Sequence, residues 1–367
     1  MTQASPVGGS AIAEDPLAKD AASGESATEP VLEVRHVTQQ FTLRARGGVR
    51  AGVVHAVSDV SLDVARNETL GLLGETGCGK STLARAILQR PRPRSGQVLL
   101  LGENLTRLKG KRLREARRHV QMVFQDPASS LDPTWSVADL VTEPLVAHHV
   151  GTSAEREARA MELVDLVGLP HRSLRSRARQ LSGGQGQRVA IARALALSPE
   201  LVVCDEAVSS LDVSIQAQIL NLLESLKAQL GLSYLFIGHD ISVVKHISDR
   251  IAVMYLGKLC EVGPAETLCS EPRHPYTAAL ISAALDDVQA GFTPARTRDS
   301  ALGEAPSALR PPSGCRYRMS CPYAKERCAE EVPEMLPVGP GHTVACHFPL
   351  SAAAPLNDGA AAKGPAG

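Results

Sequence analysis

The chain has 367 residues, enough for about two to three domains of roughly 150 residues each. Its 39 Lys and Arg balance its 39 Asp and Glu, which argues against a protein held mainly by nucleic-acid phosphates or an anionic membrane surface, since both need surplus cations. With 44% hydrophobic and 21% charged residues, the composition is typical of a soluble globular protein with an aliphatic core.

Predicted strands and helices alternate along the middle of the chain. The predicted strands are Val31–Val37, Val53–Val60, Glu68–Leu73, Gln97–Leu101, His119–Phe124, Leu201–Asp205, Ser233–Ile237 and Ile251–Tyr255. The predicted helices are Lys80–Gln89, Ser214–Leu230 and Ile241–Ser248, and residues 136–197 are mainly helical. Buried aliphatic strands that alternate with helices indicate an α/β fold with a largely parallel sheet covered on both faces.

The two ends of the chain differ from this middle part. Residues 1–30 and 351–367 are rich in Ala, Ser, Gly and Pro, which predicts disorder. No stretch approaches the roughly 18 apolar residues that a membrane-spanning helix needs. The first residues also lack the basic and apolar regions of a secretory signal. We therefore expect a cytosolic chain, whose eight cysteines are reduced thiols or metal ligands.

One glycine-rich segment has the pattern G-x-x-x-x-G-K-[ST], directly after a predicted strand and opening a predicted helix. Its glycines let successive backbone N–H groups point at a phosphate, and the helix N-terminus adds a positive dipole. The lysine neutralises phosphate oxygens and the serine hydroxyl binds Mg²⁺. This context favours a nucleotide site over a structural turn. The predicted nucleotide-binding residues are Gly74, Glu75, Thr76, Gly77, Cys78, Gly79, Lys80, Ser81 and Thr82, of which Cys78 fills a position that the pattern leaves free.

A second strand ends in two carboxylates. The apolar run Leu201–Cys204 is followed directly by Asp205 and Glu206. Ligands of open α/β sheets bind at the carboxyl ends of the strands. We therefore expect Asp205 to hold Mg²⁺ through water and Glu206 to polarise the water that attacks the γ-phosphate. The structural alternative is an Asp-Glu pair that caps a helix.

A second anion-binding pattern, LSGGQ, precedes a helix-like run at 187–197. Serine and two glycines at a helix start again present N–H donors to an anion, but one nucleotide does not need two such loops. We therefore predict that this signature segment acts on a nucleotide held by another subunit. The signature segment consists of Leu181, Ser182, Gly183, Gly184 and Gln185.

With these motifs in order, the chain resembles the ATP-binding cassette (ABC) ATPases over residues 31–264. A Q-loop glutamine, Gln125, precedes the signature segment, and a D-loop and a switch histidine, His239, follow the carboxylate strand. The resemblance implies a P-loop NTPase fold with a RecA-like, mostly parallel core, an antiparallel β subdomain and an α-helical subdomain at about residues 130–197. It also implies ATP hydrolysis with Mg²⁺ as cofactor.

The resemblance implies further roles. Gln125 contacts Mg²⁺ and links the γ-phosphate to the membrane partner, Glu206 is the general base, and His239 contacts the γ-phosphate. Such proteins stack adenine on an aromatic residue shortly after the first strand, and Phe41 is best placed for this, with simple packing as an equal alternative. The D-loop, which couples the two nucleotide sites, consists of Ser210, Leu211 and Asp212.

Three segments are similar to the oligopeptide and dipeptide importers in particular: FQDPASSLDP at 124–133, LDVSIQAQ at 211–218 and HPYT at 274–277. They imply a C-terminal extension at 265–350 and a subunit at the cytoplasmic face of the membrane. Its partners would be a second, similar ATPase, two transmembrane permeases and, indirectly, an extracytoplasmic peptide-binding protein. Nickel or another small solute is the alternative cargo, and a soluble non-transport ABC ATPase is the alternative class. No nucleic-acid partner is expected, because the basic runs at 107–118 and 172–179 lack interleaved aromatics.

The extension also carries a C-x5-C-x6-C-x17-C array. Four cysteines this close in a cytosolic segment suggest metal ligation, and their spacing leaves zinc and iron–sulfur both open. The similar importer subunits carry the array, in some as ligands of a [4Fe–4S] cluster, and we expect that cluster here. Its ligands would be Cys315, Cys321, Cys328 and Cys346.

Three positions depart from the family pattern. Gly186 stands where an arginine is usual, Ala207 where this branch has proline, and Gly238 where serine commonly precedes the histidine. A glycine early in a helix costs about 1 kcal/mol relative to a good helix former, and Gly186 also removes a cation near the facing ATP. None of the three changes removes a catalytic group, so we expect hydrolysis to be retained.

Overall fold

The computed structural model describes residues 29–44, 50–126, 130–289 and 307–351, so the two predicted disordered ends lie almost wholly outside the described residues. The strands are β1 (Leu32–Arg44), β2 (Arg50–Val64), β3 (Thr69–Leu73), β4 (Ser95–Leu100), β5 (Glu103–Asn104), β6 (Val120–Val123), β7 (Leu201–Asp205), β8 (Ser233–Gly238), β9 (Arg250–Tyr255), β10 (Lys258–Pro264), β11 (Leu336–Gly339) and β12 (His342–Val344). The helices are α1 (Lys80–Ile87), α2 (Gly110–Ala116), α3 (Val137–Ala147), α4 (Ser153–Leu166), α5 (Gly183–Leu195), α6 (Val213–Leu230), α7 (Ile241–Ile247), α8 (Ala265–Ser270), α9 (Pro275–Gln289) and α10 (Arg327–Glu330). Among the described residues, no helix combines the length and apolarity needed to cross a membrane.

A large mixed sheet forms the centre of the fold. Within the described residues it has eight strands in the order β11-β12-β10-β9-β3-β8-β7-β6. The five strands from β9 to β6 are parallel to one another, and β10, β12 and β11 continue the sheet antiparallel. The carboxyl ends of β3, β6, β7 and β8 therefore meet at one edge, where α/β proteins bind their ligands.

Both faces of this sheet are buried. Leu201 and Val203 of β7 belong to the apolar cluster on one face, whereas Val202 and Cys204 belong to the cluster on the other. Such a strand is a continuous apolar run because its alternate side chains point to two covered faces. Helices α3 to α7 contribute to one cluster. The other cluster includes α1 and a second, antiparallel sheet of order β2-β1-β4-β5. The predicted fold class is confirmed.

Capping residues fix where the helices next to the site begin. Ser182 is the N-cap of α5, and its hydroxyl accepts the N–H of Gln185 while the Gln185 side chain accepts the N–H of Ser182. Asp212 caps α6 by accepting the N–H of Ile215. Each such cap typically stabilises a helix by about 1 kcal/mol. The signature segment and the D-loop therefore each end in a well-defined helix start.

The residues after β10 are joined to the same sheet. Strand β12 pairs with β10, and the carboxylate of Glu261 in β10 is fully buried. It accepts the backbone N–H of Arg273 at 2.7 Å and of His274 at 2.9 Å, and the Nε2–H of His342 at 2.7 Å. Because a buried charge needs such donors, this carboxylate holds the start of α9 and strand β12 against the sheet.

Candidate functional site

The glycine-rich loop at 74–79 connects the fully buried strand β3 to α1. Gly79 is the N-cap of α1 with φ of 111°, a conformation that residues with a Cβ rarely adopt. A Cβ at Gly79 would lie 2.0 Å from the carbonyl oxygen of Ala56, and one at Gly74 would lie 2.2 Å from that of Met254. Both positions therefore require glycine, and the backbones of β2 and β9 support the loop from behind.

The ammonium of Lys80 lies within this loop. The residue is 3% exposed, and its Nζ donates to the carbonyl oxygens of Gly74 at 2.6 Å and Glu75 at 3.0 Å. A buried cation requires such partners because its desolvation is costly. The positive charge is thereby held where the loop can neutralise a phosphate, while Glu75, Thr76 and Gly77 form an exposed tip.

Cys78 anchors the loop through its side chain and its carbonyl group. The thiol is buried in the apolar cluster beside α1, and burial raises its pKa. Its carbonyl oxygen accepts the N–H of Gly257 at 2.8 Å. A neutral, buried thiol is not a nucleophile, so only the backbone of Cys78 is available to a ligand.

Two oxygen-bearing side chains meet next to the loop. Ser81 Oγ donates to Asp205 Oδ1 at 2.8 Å, and half-buried Thr82 follows it in α1. Asp205 ends β7 and is 4% exposed. Burial raises the pKa of Asp205, and the hydrogen bond from Ser81 opposes this rise. Hydroxyl and carboxylate oxygens are ligands that Mg²⁺ prefers, so the two side chains fit that ion.

The neighbouring carboxylate, Glu206, is the centre of a polar cluster. Its Oε2 accepts the Nε2–H of Gln125 at 2.8 Å and lies 3.5 Å from Nδ1 of His239. Its backbone has φ of 50°, a left-handed conformation that costs energy in a non-glycine residue. The Glu206 N–H donates to the carbonyl of Ile237 at 3.0 Å, which ties this turn to β8. The structure thus brings together the three predicted catalytic side chains.

The signature segment lies against the D-loop. A Cβ at Gly184 would lie 2.7 Å from Ile215 Cγ2, and one at Gly183 would lie 3.4 Å from Leu211 Cδ2. Leu181 is half-buried, whereas Ser182, Gly183 and Gln185 are exposed at the start of α5. The backbone N–H groups of this helix start are therefore on the protein surface.

The D-loop links this region to the catalytic cluster. Ser210 Oγ donates to the carbonyl oxygen of Gln125 at 3.4 Å. Asp212 accepts the N–H of Ile215 and the hydroxyl of Ser214 at 2.7 Å, and these hydrogen bonds lower the pKa of its carboxyl group. Its carboxylate is therefore ionised at neutral pH.

Phe41 lies in β1, directly opposite Val54 of β2. Its side chain is 38% exposed, so the ring has a free surface. The stacking of Phe41 on adenine stays a prediction.

Tyr276, in the HPYT segment of α9, was not predicted to touch the nucleotide site. Its phenol oxygen accepts the backbone N–H of Glu75 at 3.2 Å. The residue is 2% exposed. The HPYT resemblance is the signal that marks this position in the sequence, but nothing local in that motif indicates which loop the tyrosine reaches.

The prediction of an iron–sulfur cluster is wrong. Among the described residues, no group of three or more His, Cys, Asp and Glu side chains is placed to hold a metal ion. The four cysteines instead line a small cavity with Tyr317 and Phe348. Burial raises the pKa of the Cys315 and Cys321 thiols, and that of Cys346 to about 11. With these raised pKa values the three thiols are protonated at neutral pH, whereas metal ligands are thiolates.

Comparison with protein families agrees with the motif order. A model of the ABC transporter family matches residues 57–209, and a model of the oligopeptide/dipeptide transporter C-terminal region matches residues 260–328. The oligopeptide transport ATP-binding protein AppF of Bacillus subtilis (strain 168) is 46% identical over 323 residues, covering 87% of this chain and 98% of AppF. The probable peptide ABC transporter ATP-binding protein y4tS of Sinorhizobium fredii is 45% identical over 332 residues, covering 89% of this chain and 92% of y4tS.

Solved structures of similar fold are also ATP-binding cassettes. The dimeric post-hydrolysis structure of the cassette MJ0796, bound to ADP and Pi, has a TM-score of 0.57 and 29% identity, covering 64% of this chain and 98% of MJ0796. CbiO1 from Clostridium perfringens, part of the ABC transporter complex CbiONQ, has a TM-score of 0.56 and 23% identity, covering 71% of this chain and 95% of CbiO1. The latter likeness concerns the fold alone.

Proposed function

The chain belongs to the family of ABC transporter ATP-binding proteins, and we propose that it hydrolyses ATP to power a peptide importer. The observation that carries this proposal is the meeting of three groups at one edge of the sheet. They are the ammonium of Lys80, the Ser81–Asp205 pair and the carboxylate of Glu206. Lys80 and Glu206 both lie close enough to Asp205 to shift its pKa, in opposite directions.

The proposed reaction uses these groups in separate roles. Lys80 and the N–H groups of the loop bind the β- and γ-phosphates and offset their charge. Ser81, Gln125 and water-linked Asp205 would hold Mg²⁺, which when bound supplies positive charge to the phosphate oxygens. Glu206 takes a proton from the attacking water as its oxygen bonds to the γ-phosphorus. The bond from that phosphorus to the bridging oxygen breaks, and ADP and phosphate leave.

Gln125 and His239 keep the general base in place. Both contact the same oxygen, Oε2 of Glu206, and we assign the other carboxylate oxygen, Oε1, to the proton of the attacking water. When nucleotide is bound, His239 contacts its γ-phosphate. Gln125 contacts Mg²⁺ and changes position with the state of that phosphate. Because Gln125 lies at the start of the FQDP segment, its movement would pass to the membrane partner.

We place each nucleotide between two cassettes. The exposed helix start at Ser182 offers N–H donors and a positive dipole, as a partner's γ-phosphate requires, and the D-loop residue Asp212 couples the two sites. The similar cassette MJ0796 is described as dimeric. ATP contacts both cassettes and so favours the closed pair, and hydrolysis removes that differential affinity.

The relatives support the cargo and the partners. AppF and y4tS are named as peptide transport proteins, and the C-terminal region matches the oligopeptide/dipeptide type. We therefore propose that the chain lies at the cytoplasmic face of the membrane with two permeases and a second, homologous ATPase as a heterodimer. An extracytoplasmic binding protein would deliver the peptide. In this assembly residues 31–264 form the cassette and residues 265–350 the extension.

Uptake measurements in the source cells test the proposal. Deleting the gene should abolish uptake of labelled di- and oligopeptides, and the wild-type chain should restore it whereas Glu206→Gln should not. Nickel uptake in the same strains is the control. Unchanged peptide uptake in the deletion strain, or loss of nickel uptake alone, would refute a role in peptide import.

A further inference from the structure

One side chain of the C-terminal extension, that of Tyr276, contacts the phosphate-binding loop. We propose that Tyr276 is a positioning residue, whose phenol oxygen holds the backbone of Glu75 and thereby makes nucleotide affinity depend on the extension. This inference rests on the proposed function, since it assumes that the loop binds ATP. It adds a residue outside the cassette motifs to the determinants of that binding.

The contact itself is direct and the ring is well packed. The N–H of Glu75 donates to the phenol oxygen of Tyr276 at 3.2 Å. The Tyr276 ring packs in a triangle with two others, its centroid 4.6 Å from that of Tyr255 and 5.3 Å from that of Tyr317, and those two are 5.3 Å apart. Close-packed aromatic rings keep their rotamers, so the phenol oxygen stays directed at the loop.

A series of buried hydrogen bonds fixes Tyr276 from behind. Its backbone N–H donates to Nδ1 of His274 at 3.0 Å. The N–H of His274 donates in turn to Oε2 of Glu261 at 2.9 Å. Glu261 is fully buried in β10. The start of α9 is therefore attached to the central sheet, and Tyr276 carries that attachment to the loop.

The same residue of the loop also holds the lysine. While the N–H of Glu75 binds Tyr276, its carbonyl oxygen accepts Nζ of Lys80 at 3.0 Å. Movement of the Glu75 backbone would therefore displace the ammonium that neutralises the phosphates. Loss of one such hydrogen bond typically changes an equilibrium about three- to tenfold. We expect a loss of that size in nucleotide affinity when the phenol oxygen is removed.

Equilibrium binding to the full-length chain tests this inference. The probe is a fluorescent ATP analogue with Mg²⁺, displaced by ATP, at a temperature where every variant is folded. Tyr276→Phe should weaken binding about three- to tenfold. Tyr317→Phe is the matched control, because it removes a phenol from the same aromatic cluster and should bind as wild type. Equal affinities of wild type and Tyr276→Phe would overturn the inference.

A further variant separates this inference from the proposed function. If Lys80→Ala binds nucleotide as well as the wild type does, the proposed site is wrong. If Lys80→Ala loses binding while Tyr276→Phe retains it, only the role of Tyr276 fails. Backbone amide exchange at Glu75 gives a readout that needs no nucleotide. The amide should be protected in the wild type and in Tyr317→Phe and unprotected in Tyr276→Phe.

The amide measurement also decides the outcome if Tyr276→Phe does not fold. The wild-type chain then suffices, because a Glu75 amide held by a buried phenol exchanges slowly. Exchange of the Glu75 amide as fast as that of an unprotected amide would overturn the inference.

Discussion

Mild acid should destabilise the fold through the imidazole of His274. This side chain is 2% exposed, and its Nδ1 accepts the N–H of Tyr276, so that nitrogen carries no proton in the folded chain. Burial lowers the pKa of His274 from 6.5 to about 4, and the carboxylate of Glu261 opposes only part of this decrease. Protonation of His274 would break the contact with Tyr276 and place a cation in the core.

The magnitude follows from the difference between the two pKa values. Between pH 6.5 and pH 4, His274 binds a proton in the unfolded chain but not in the folded chain. The contribution of neutral His274 to the free energy of unfolding is therefore fully present above pH 6.5 and decreases as the pH falls towards 4. Relative to neutral pH, His274 alone should remove about 2 kcal/mol of the free energy of unfolding at pH 5 and about 3 kcal/mol at pH 4.

Urea unfolding followed by circular dichroism at pH 7.5 and pH 5 measures this loss. The control variant is His274→Asn, because the amide oxygen can accept the Tyr276 N–H in place of Nδ1 but does not titrate. Between these two pH values the free energy of unfolding of the wild type should fall by about 2 kcal/mol more than that of the variant. This comparison does not depend on how much the two proteins differ in stability at neutral pH. Parallel losses in the two proteins would refute the assignment to His274.

Three further substitutions test the site. Glu206→Gln keeps an acceptor for Gln125 but cannot take a proton, so phosphate release should fall about 10²- to 10⁴-fold with ATP binding retained; normal turnover would contradict the general-base role. Gly79→Ala places a Cβ 2.0 Å from a carbonyl oxygen and should abolish nucleotide binding, whereas Gly102→Ala, at φ of 78° in open space, should bind normally in the same titration. Ser182→Ala should slow hydrolysis by the assembled pair and leave the nucleotide affinity of the separate subunit unchanged. If the separate subunit with Ser182→Ala bound nucleotide more weakly than the wild type, Ser182 would not act on a partner's nucleotide.

The sequence predicts best those elements whose signal is local. Strand β7 has the predicted bounds, Leu201–Asp205, because a strand buried on both faces is an uninterrupted apolar run that ends where polar residues begin. Strand β1 was predicted to end at Val37 but continues to Arg44. Its second half is polar on one side, and pairing with β2 rather than apolarity keeps it extended.

Elements that depend on distant residues could not be predicted in this way. Strand β12 has three residues, too few for any period, and its position follows from pairing with β10 and from the contact of His342 with Glu261 across 81 residues. The motif residues of the site were found because a loop, a strand end and a helix start each have their own pattern. The contact of Tyr276 with Glu75 spans 201 residues, and no spacing rule reveals it.

At the cysteine array, by contrast, the sequence predicted a metal site that the structure does not bear out. The spacing of four cysteines in the sequence suggests ligation, but spacing does not say how the Sγ atoms face one another or whether the thiols ionise. The folded chain places these side chains around a small cavity that Tyr317, Tyr323 and Phe348 also line, and partial burial raises the pKa of three of the thiols, Cys315, Cys321 and Cys346.

The pairing of β10 with β12 matters for anyone who shortens this protein. A chain cut after Pro264 would leave the outer edge of β10 with unpaired N–H and C=O groups and leave Glu261 without its donors. Open strand edges of this kind recruit other chains and promote precipitation. Expression of the nucleotide-binding part should therefore retain the residues through 351, even when the transporter partners are omitted.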